Sequence, residues 1–314
     1  MPKSGSKKRK GAKPAPLAPP MMKSRKRARK VTTLFHKYTR ERDAAQEHDD
    51  TARVECLDRL IQEMGGREEY QRASQVSTSF HSTSKWVLGV LSRNGWLHGR
   101  VEETESVSAA ATNSRKLPRR DTTCLEVGAI NTELLDASAR STTDEETGVE
   151  MRKYRLRVRA IDLNSMHPDR IEEADFLTIS LSPDREDRYD VIVCSMVLNC
   201  VTTPEKRGNM VTRLFHFLRP GGLCFVTIPR LCLSLSPYMD QQRFRAVLEA
   251  VGFEVTETKE SPKIAFFICR RPSSACPEEL DSKWMALATI RRGRKYRNDF
   301  SVVLNTEAVT GHKV

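Results

Sequence analysis

Three short stretches hold side chains whose types and order suggest ligand chemistry. "CLEVGAINT" (124–132) ends an apolar run on a single glycine, Gly128. "RAIDLNS" (159–165) ends a second run on Asp162, and "EADFLT" (173–178) sets Asp175 beside Phe176. A carboxylate offers two acceptor oxygens and a ribose diol offers two donor hydroxyls, so Asp162 suits a nucleoside sugar. Gly128 permits a close backbone approach because hydrogen stands where Cβ would be. Asp175 can accept from an adenine amino group while Phe176 packs the ring.

The same stretches exclude other cofactors. A dinucleotide lies with its pyrophosphate against several glycines and a helix N-terminus, and one glycine cannot supply that surface. A Walker loop ends in Gly-Lys-Ser/Thr, which is absent after Gly128. S-adenosylmethionine carries no phosphate and needs one close approach and one ribose acid, so it is the expected cofactor. Asp162 follows Gly128 by 34 residues, more than the ~20 of a dinucleotide unit. The polar insertion over 138–153 accounts for the excess.

A fourth stretch, "CSMVLN" (194–199), places Ser195 and Asn199 at the end of another apolar run. The Asn199 amide can donate to and accept from a base edge, or it can cap the next helix. Ser195 and Asn199 are the candidate catalytic pair. Arg230, after the next run, can meet phosphate or stack on a base. Tyr70 and Trp86 are candidate stacking residues, although each reads first as core, and Lys85 is a candidate substrate contact. Eight cysteines lie scattered without a CxxC pair, which points to a reducing compartment and no metal.

These residues need a scaffold, and the periodicity supplies one. Strand-like runs at 123–129, 155–163, 189–197 and 222–228 alternate with amphipathic stripes such as Val211, Leu214, Phe215 and Leu218. Near-continuous apolar strands between such helices predict an α/β fold, a Rossmann-like parallel sheet covered on both faces. Residues 252–271 hold one or two more strands, and "FSVVLN" (300–305) reads as another. Upstream, stripes at 52–64, 67–76 and 84–93 predict helices. The expected organisation is a disordered basic tail (1–45), a helical N-terminal extension (46–118) and the sheet domain (119–307).

Charge is distributed unevenly. Residues 1–30 hold twelve Lys/Arg and no acid; subtracting them from 53 leaves 41 basic residues against 41 acidic. The tail is expected to be disordered, with nothing to bury, and to act as a nuclear address or polyanion-binding arm. No apolar run approaches the ~20 residues of a membrane span.

Together, "EVGAIN", "IDLNS", "DFL", "RYDVIVCSMVLNCVTTPEKRGNMV", "FLRPGG", "GGREEYQRAS", "SKWVL" and "RNDFSVVLN" resemble the fungal 25S ribosomal-RNA adenine-N1 methyltransferase family. The resemblance spans about 55–305. It implies a class I S-adenosylmethionine-dependent methyltransferase fold, with Gly128 and Asp162 as cofactor contacts. It also implies methylation of adenine N1 in large-subunit rRNA or a pre-ribosomal particle, and residence in the nucleus and nucleolus. A monomer is expected. Animal relatives are similar in the cofactor motifs yet act as S-adenosylmethionine sensors, which is the competing reading. The basic tail and "RRGRKYR" (291–297) favour the RNA enzyme.

Overall fold

The computed structural model describes residues 24–78, 83–101, 119–143, 150–165, 167–182, 184, 187–273 and 280–305. The chain opens with helices α1 (Arg25–Glu47), α2 (Thr51–Glu63), α3 (Gly66–Thr78) and α4 (Thr83–Arg93). Strands β1 (Arg100–Val101) and β2 (Arg119–Arg120) form a small antiparallel pair ahead of β3 (Thr122–Val127). Helix α5 (Glu133–Ala139) is followed by the hairpin β4 (Ser141–Thr143) and β5 (Glu150–Arg152) within the polar insertion. Then come β6 (Leu156–Asp162), β7 (Glu172–Glu173), β8 (Tyr189–Ser195), α6 (Pro204–Phe217), β9 (Leu218–Pro229), α7 (Arg230–Ser234), α8 (Gln241–Ala250), β10 (Glu254–Glu260) and β11 (Ile264–Arg270).

Short polar side chains start several of these helices. Ser24, Asp50, Thr203 and Asp240 each accept from a backbone N–H three residues on, and Pro204 occupies the first turn of α6. Gly65 and Gly66, both at positive φ, separate α2 from α3.

The main sheet runs β10-β11-β9-β8-β3-β6-β7. All its neighbours from β9 to β7 pair in parallel, and β11 alone runs antiparallel to both of its neighbours. This is the doubly wound sheet expected of a class I methyltransferase. Leu125 and Val127 face the core beneath α6 and α8, with Val211, Leu214, Phe244 and Leu248. Cys124, Val191, Val193 and Phe225 face the other way, against Val87, Val90 and Leu91 of α4 and Leu134 of α5. Helix α4 therefore completes the sheet's second face rather than standing apart from it.

Two expectations need correction. Residues 25–47 are helical, although a disordered tail was expected to reach residue 45. Ala28, Val31 and Phe35 recur at helical spacing on α1 and are buried, Ala28 and Val31 against Ala73 of α3. The lysines and arginines between them hid that stripe. The remainder of the tail, 1–23, lies outside the described residues, as does most of the 101–120 linker.

The second correction is 300–305, which forms no strand. Phe300–Leu304 is a buried strap along α6, and other elements satisfy its backbone. The Val303 amide donates to the Pro204 carbonyl at 3.0 Å, and the Ser236 hydroxyl donates to the Phe300 carbonyl at 2.6 Å. Buried Arg207 donates to the carbonyls of Val201, Thr202 and Ser301 at 2.8–3.1 Å. Gly208 lies so close to Val303 that a Cβ would overlap its carbonyl. The short apolar run of "FSVVLN" marks burial without marking pairing.

One buried charge fixes the entry end of the sheet. Asp190, 1% exposed, accepts from both Arg120 guanidinium nitrogens at 2.5 and 2.6 Å and from the Thr123 amide at 2.9 Å. Burial pushes its carboxyl up, but the Arg120 and Thr123 hydrogen bonds outweigh that and hold it below the ordinary value. Asp190→Ala removes the guanidinium's carboxylate partner and should cost about 3 kcal/mol in urea unfolding. Because the wild-type pKa is depressed, its contribution is present above about pH 4 and is lost as pH falls further. The gap between wild type and variant should therefore narrow in acid.

Candidate cofactor and acceptor site

Parallel register brings the candidate residues together. Val127 pairs with Ile161 on one side and Cys194 on the other, so the residues that follow, Gly128, Asp162 and Ser195, stand side by side at the sheet's carboxyl edge. Ser195 pairs in turn with Thr227 of β9. Carboxyl ends of strands are where doubly wound sheets bind ligands.

Gly128 turns at φ +71°, and its amide and that of Ala129 both donate to the Ile161 carbonyl at 2.8 and 2.9 Å. A Cβ here would overlap the Val197 side chain. The turn therefore demands glycine on its own account, and any side chain displaces Val197 before it reaches a ligand.

Asp162 Oδ1 accepts from the Asn164 amide at 2.9 Å and from Gln71 Nε2 at 3.2 Å. Burial pushes this carboxyl up, opposed by Asn164, Arg67 and Gln71. Gln71 comes from α3, is 4% exposed, and also donates to the Asn164 carbonyl. Its Oε1 is buried without a partner among the described residues. Oε2 of Glu126, two residues before Gly128, is likewise buried and unpartnered. Burial, and then Glu133, push the Glu126 carboxyl up to about 8. An orphaned acid, an orphaned amide oxygen and the Asp162 carboxylate match the ammonium and ribose hydroxyls of S-adenosylmethionine, so the residues present fit the expected cofactor.

Beyond β8 the backbone is strained. Met196 sits at φ +60°, rare for a side-chain-bearing residue and characteristic of functional turns. Its amide donates to the Thr227 carbonyl at 2.9 Å, and its carbonyl accepts from the Cys200 thiol at 3.3 Å. Asn199 Nδ2 donates to Cys200 Sγ at 3.3 Å, while its Oδ1 is buried without a partner among the described residues. Asn199 caps no helix, since Thr203 caps α6. The Tyr70 hydroxyl lies 3.6 Å from Cys200 Sγ, and His36 Nε2 of α1 lies 3.9 Å from it. Burial pushes Tyr70 well above its ordinary value, pushes Cys200 up to about 11 and lowers His36 to about 4. Tyr70, Cys200 and His36 are therefore all neutral at pH 7.

Several candidates are placed differently from expectation. The Ser195 hydroxyl accepts from Thr83 of α4 at 3.0 Å and lies 2.9 Å from that of Thr227, so it ties α4 to the sheet. One face of the Tyr70 ring stacks on Phe35, with centroids 4.3 Å apart. The Phe176 ring is 2% exposed, set against Phe217 and beneath the Arg213 guanidinium, and it lies in the core instead of presenting a face to a ligand. Asp175 Oδ1 accepts from the Leu177 amide in its own turn. Arg230 is exposed directly after β9 and pairs with Glu260 at 3.1 Å; Lys85 is exposed on the first turn of α4. Among the described residues no group of three or more His, Cys, Asp or Glu could hold a metal, and no helix is long and apolar enough to cross a membrane.

Sequence reasoning missed Gln71, Glu126, His36, Thr83 and Thr227. Glu126 was discoverable as an acid within the apolar run of β3. The folded Glu126 carboxyl titrates near 8 against an ordinary 4.5. The protein without ligand should therefore lose stability as pH rises through that interval. Glu126→Gln removes the titration. Melting temperatures at pH 5 and pH 8.5 should show the variant's advantage growing with pH; a constant difference would contradict the buried neutral acid.

Comparison with known proteins places this arrangement in a family. The sequence model described as 25S rRNA (adenine(2142)-N(1))-methyltransferase, Bmt2, matches residues 55–302. A 25S rRNA (adenine(2142)-N(1))-methyltransferase of Saccharomyces cerevisiae is 24% identical over 206 residues, 66% of this chain and 51% of that protein. A 25S rRNA adenine-N(1) methyltransferase of Schizosaccharomyces pombe is 33% identical over 118 residues, 36% of this chain and 42% of that protein. The chain thus spans about half the length of the curated relatives it matches. Among solved structures, the N-methyltransferase NodS of Bradyrhizobium japonicum, with S-adenosyl-l-homocysteine, is 14% identical with a TM-score of 0.36, covering 49% of this chain and 80% of that one. A sarcosine dimethylglycine methyltransferase homologue of Galdieria sulphuraria is 12% identical with a TM-score of 0.38, covering 64% and 88%. With α3, Gly128, Asp162, Ser195 and Asn199 all inside the matched span, the chain belongs to the 25S rRNA (adenine(2142)-N(1))-methyltransferase, Bmt2, family.

Proposed function

We propose that this protein methylates N1 of an adenine in 25S rRNA during ribosome biogenesis, with S-adenosylmethionine as donor. The observation that carries the reading is family membership over a span containing Gln71, Glu126, Gly128, Asp162 and Asn199. S-adenosylmethionine, when bound, supplies an electrophilic methyl group on its sulfonium. Asp162, steadied by Gln71, takes the ribose hydroxyls, and Glu126 takes the ammonium.

Adenine N1 carries a free lone pair at neutral pH, so the chain has to position the base rather than deprotonate it. The neutral surroundings of Tyr70, Cys200 and His36 agree with that demand. The unpartnered Asn199 Oδ1 is an acceptor for the exocyclic amine beside N1. The Watson–Crick edge must be open, so the target base is unpaired or flipped out. The twelve cations of residues 1–30 supply affinity for polyanions and a nuclear address, and the proposed location is the nucleolus.

Asp162→Ala should weaken S-adenosylmethionine binding by about 1.5–3 kcal/mol, the value of hydrogen bonds to a charged group, in calorimetry. Tritiated methyl should pass to protein-free or partly assembled large-subunit rRNA, and primer extension should stop at one adenine. Cofactor binding with no transfer to any large-subunit rRNA would replace this reading with that of a sensor.

A further inference from the structure

A shallow groove of about 310 Å³ opens between the first turn of α4 and the turn joining β10 to β11. Its floor is Trp86, Ile264 and Phe266, its wall includes Thr83, and Lys259 and Lys263 stand at its edge. Trp86 is fixed by edge-on contacts to Phe225 and Phe266, each with centroids 5.1 Å apart. Lys259 pairs with Phe266 across the β10–β11 ladder, so both side chains project on the α4 side of the sheet.

Both lysines are exposed, and neither is ion-paired among the described residues. Glu260, the acid between them, is held by Arg230 at 3.1 Å. The groove borders the acceptor site, because its Thr83 donates to Ser195 at the carboxyl end of β8. Aromatic floors receive unstacked bases, and unpaired cations at their edge receive phosphates. A metabolite-sized acceptor would have no use for two cations set outside an apolar floor.

We propose that this groove seats a nucleotide of the substrate RNA flanking the methylated adenine, its base on Trp86 and Phe266 and its phosphates against Lys259 and Lys263. The proposal rests on the RNA reading above and adds a place for the strand. The test compares full-length wild type with Lys259→Gln/Lys263→Gln, using a single-stranded rRNA oligonucleotide. Each phosphate contact to a single strand contributes about 0.7 to the slope of log affinity against log salt, so the double variant should lose about 1.4. KM for RNA should rise, while kcat at saturating RNA and affinity for S-adenosylmethionine stay at wild-type levels.

Trp86→Leu should weaken oligonucleotide binding about tenfold, the scale of one lost base stack, and Trp86→Phe should restore most of it. If Trp86→Leu melts early, the lysine pair, which is exposed, still decides the question. An unchanged salt slope overturns the proposal, as does a fall in kcat with KM unchanged. Because slope is read from binding, wild type that binds RNA without methylating it would refute the enzyme reading and leave the groove standing.

Discussion

The Asp190 carboxylate is the fixed point from which the site is measured. It joins β2 to the start of β8 through Arg120 and to β3 through the Thr123 amide. A one-residue slip between parallel strands would turn every side chain to the opposite face. With both strands held at their entry ends, β3 and β8 must finish together, and β6 follows because its register with β3 is continuous. Gly128, Asp162 and Ser195 are adjacent for that reason, although 67 residues separate the first from the last. The bond that aligns them lies at the opposite end of the sheet from the ligand.

The site itself is shared between two parts of the chain. The sheet contributes Glu126, Gly128, Asp162 and the strained turn at Met196. The N-terminal helices contribute Gln71 on Asp162, Thr83 on Ser195, and His36 and Tyr70 around Cys200. Each of these contacts leaves a polar sheet residue satisfied by a helix, so the helices are part of the binding surface. Burial keeps Tyr70, Cys200 and His36 neutral while leaving an unmatched acid at Glu126. An ammonium set beside Glu126 would favour its ionised form, and a neutral base can rest in the other part.

The sheet was legible because burial on both faces leaves unmistakable apolar runs, and Gly128 and Asp162 were legible because they end those runs. Phe176 was misplaced because an aromatic beside an acid looks the same in sequence whether it meets a ligand or Phe217. Helix α1 was obscured because cations between Ala28, Val31 and Phe35 lower the mean hydropathy without disturbing the stripe. The 300–305 segment reads as a strand because a short apolar run records that side chains are buried, while pairing depends on neighbours that no local pattern contains. Gln71 and Thr83 could not be assigned for the same reason, since their partners lie 91 and 112 residues away.

The strap over α6 also sets an order on biosynthesis. Arg207 is buried, and one of its acceptors, the Ser301 carbonyl, is made 94 residues later. At about 5–20 residues per second, a ribosome needs roughly 5–20 s to cover that interval. During that time the flank of α6 around Gly208 is uncovered, and a guanidinium destined for the interior remains in water. Helices α1 and α3, which pack on each other through Ala28, Val31 and Ala73, can meet while the rest is still being translated, but the bonds of the N-terminal helices to Asp162, Ser195 and Cys200 must wait. The sheet's outer layer closes only when residues 300–304 leave the exit tunnel, so a stretch made after all the described strands of the main sheet completes the hydrophobic core.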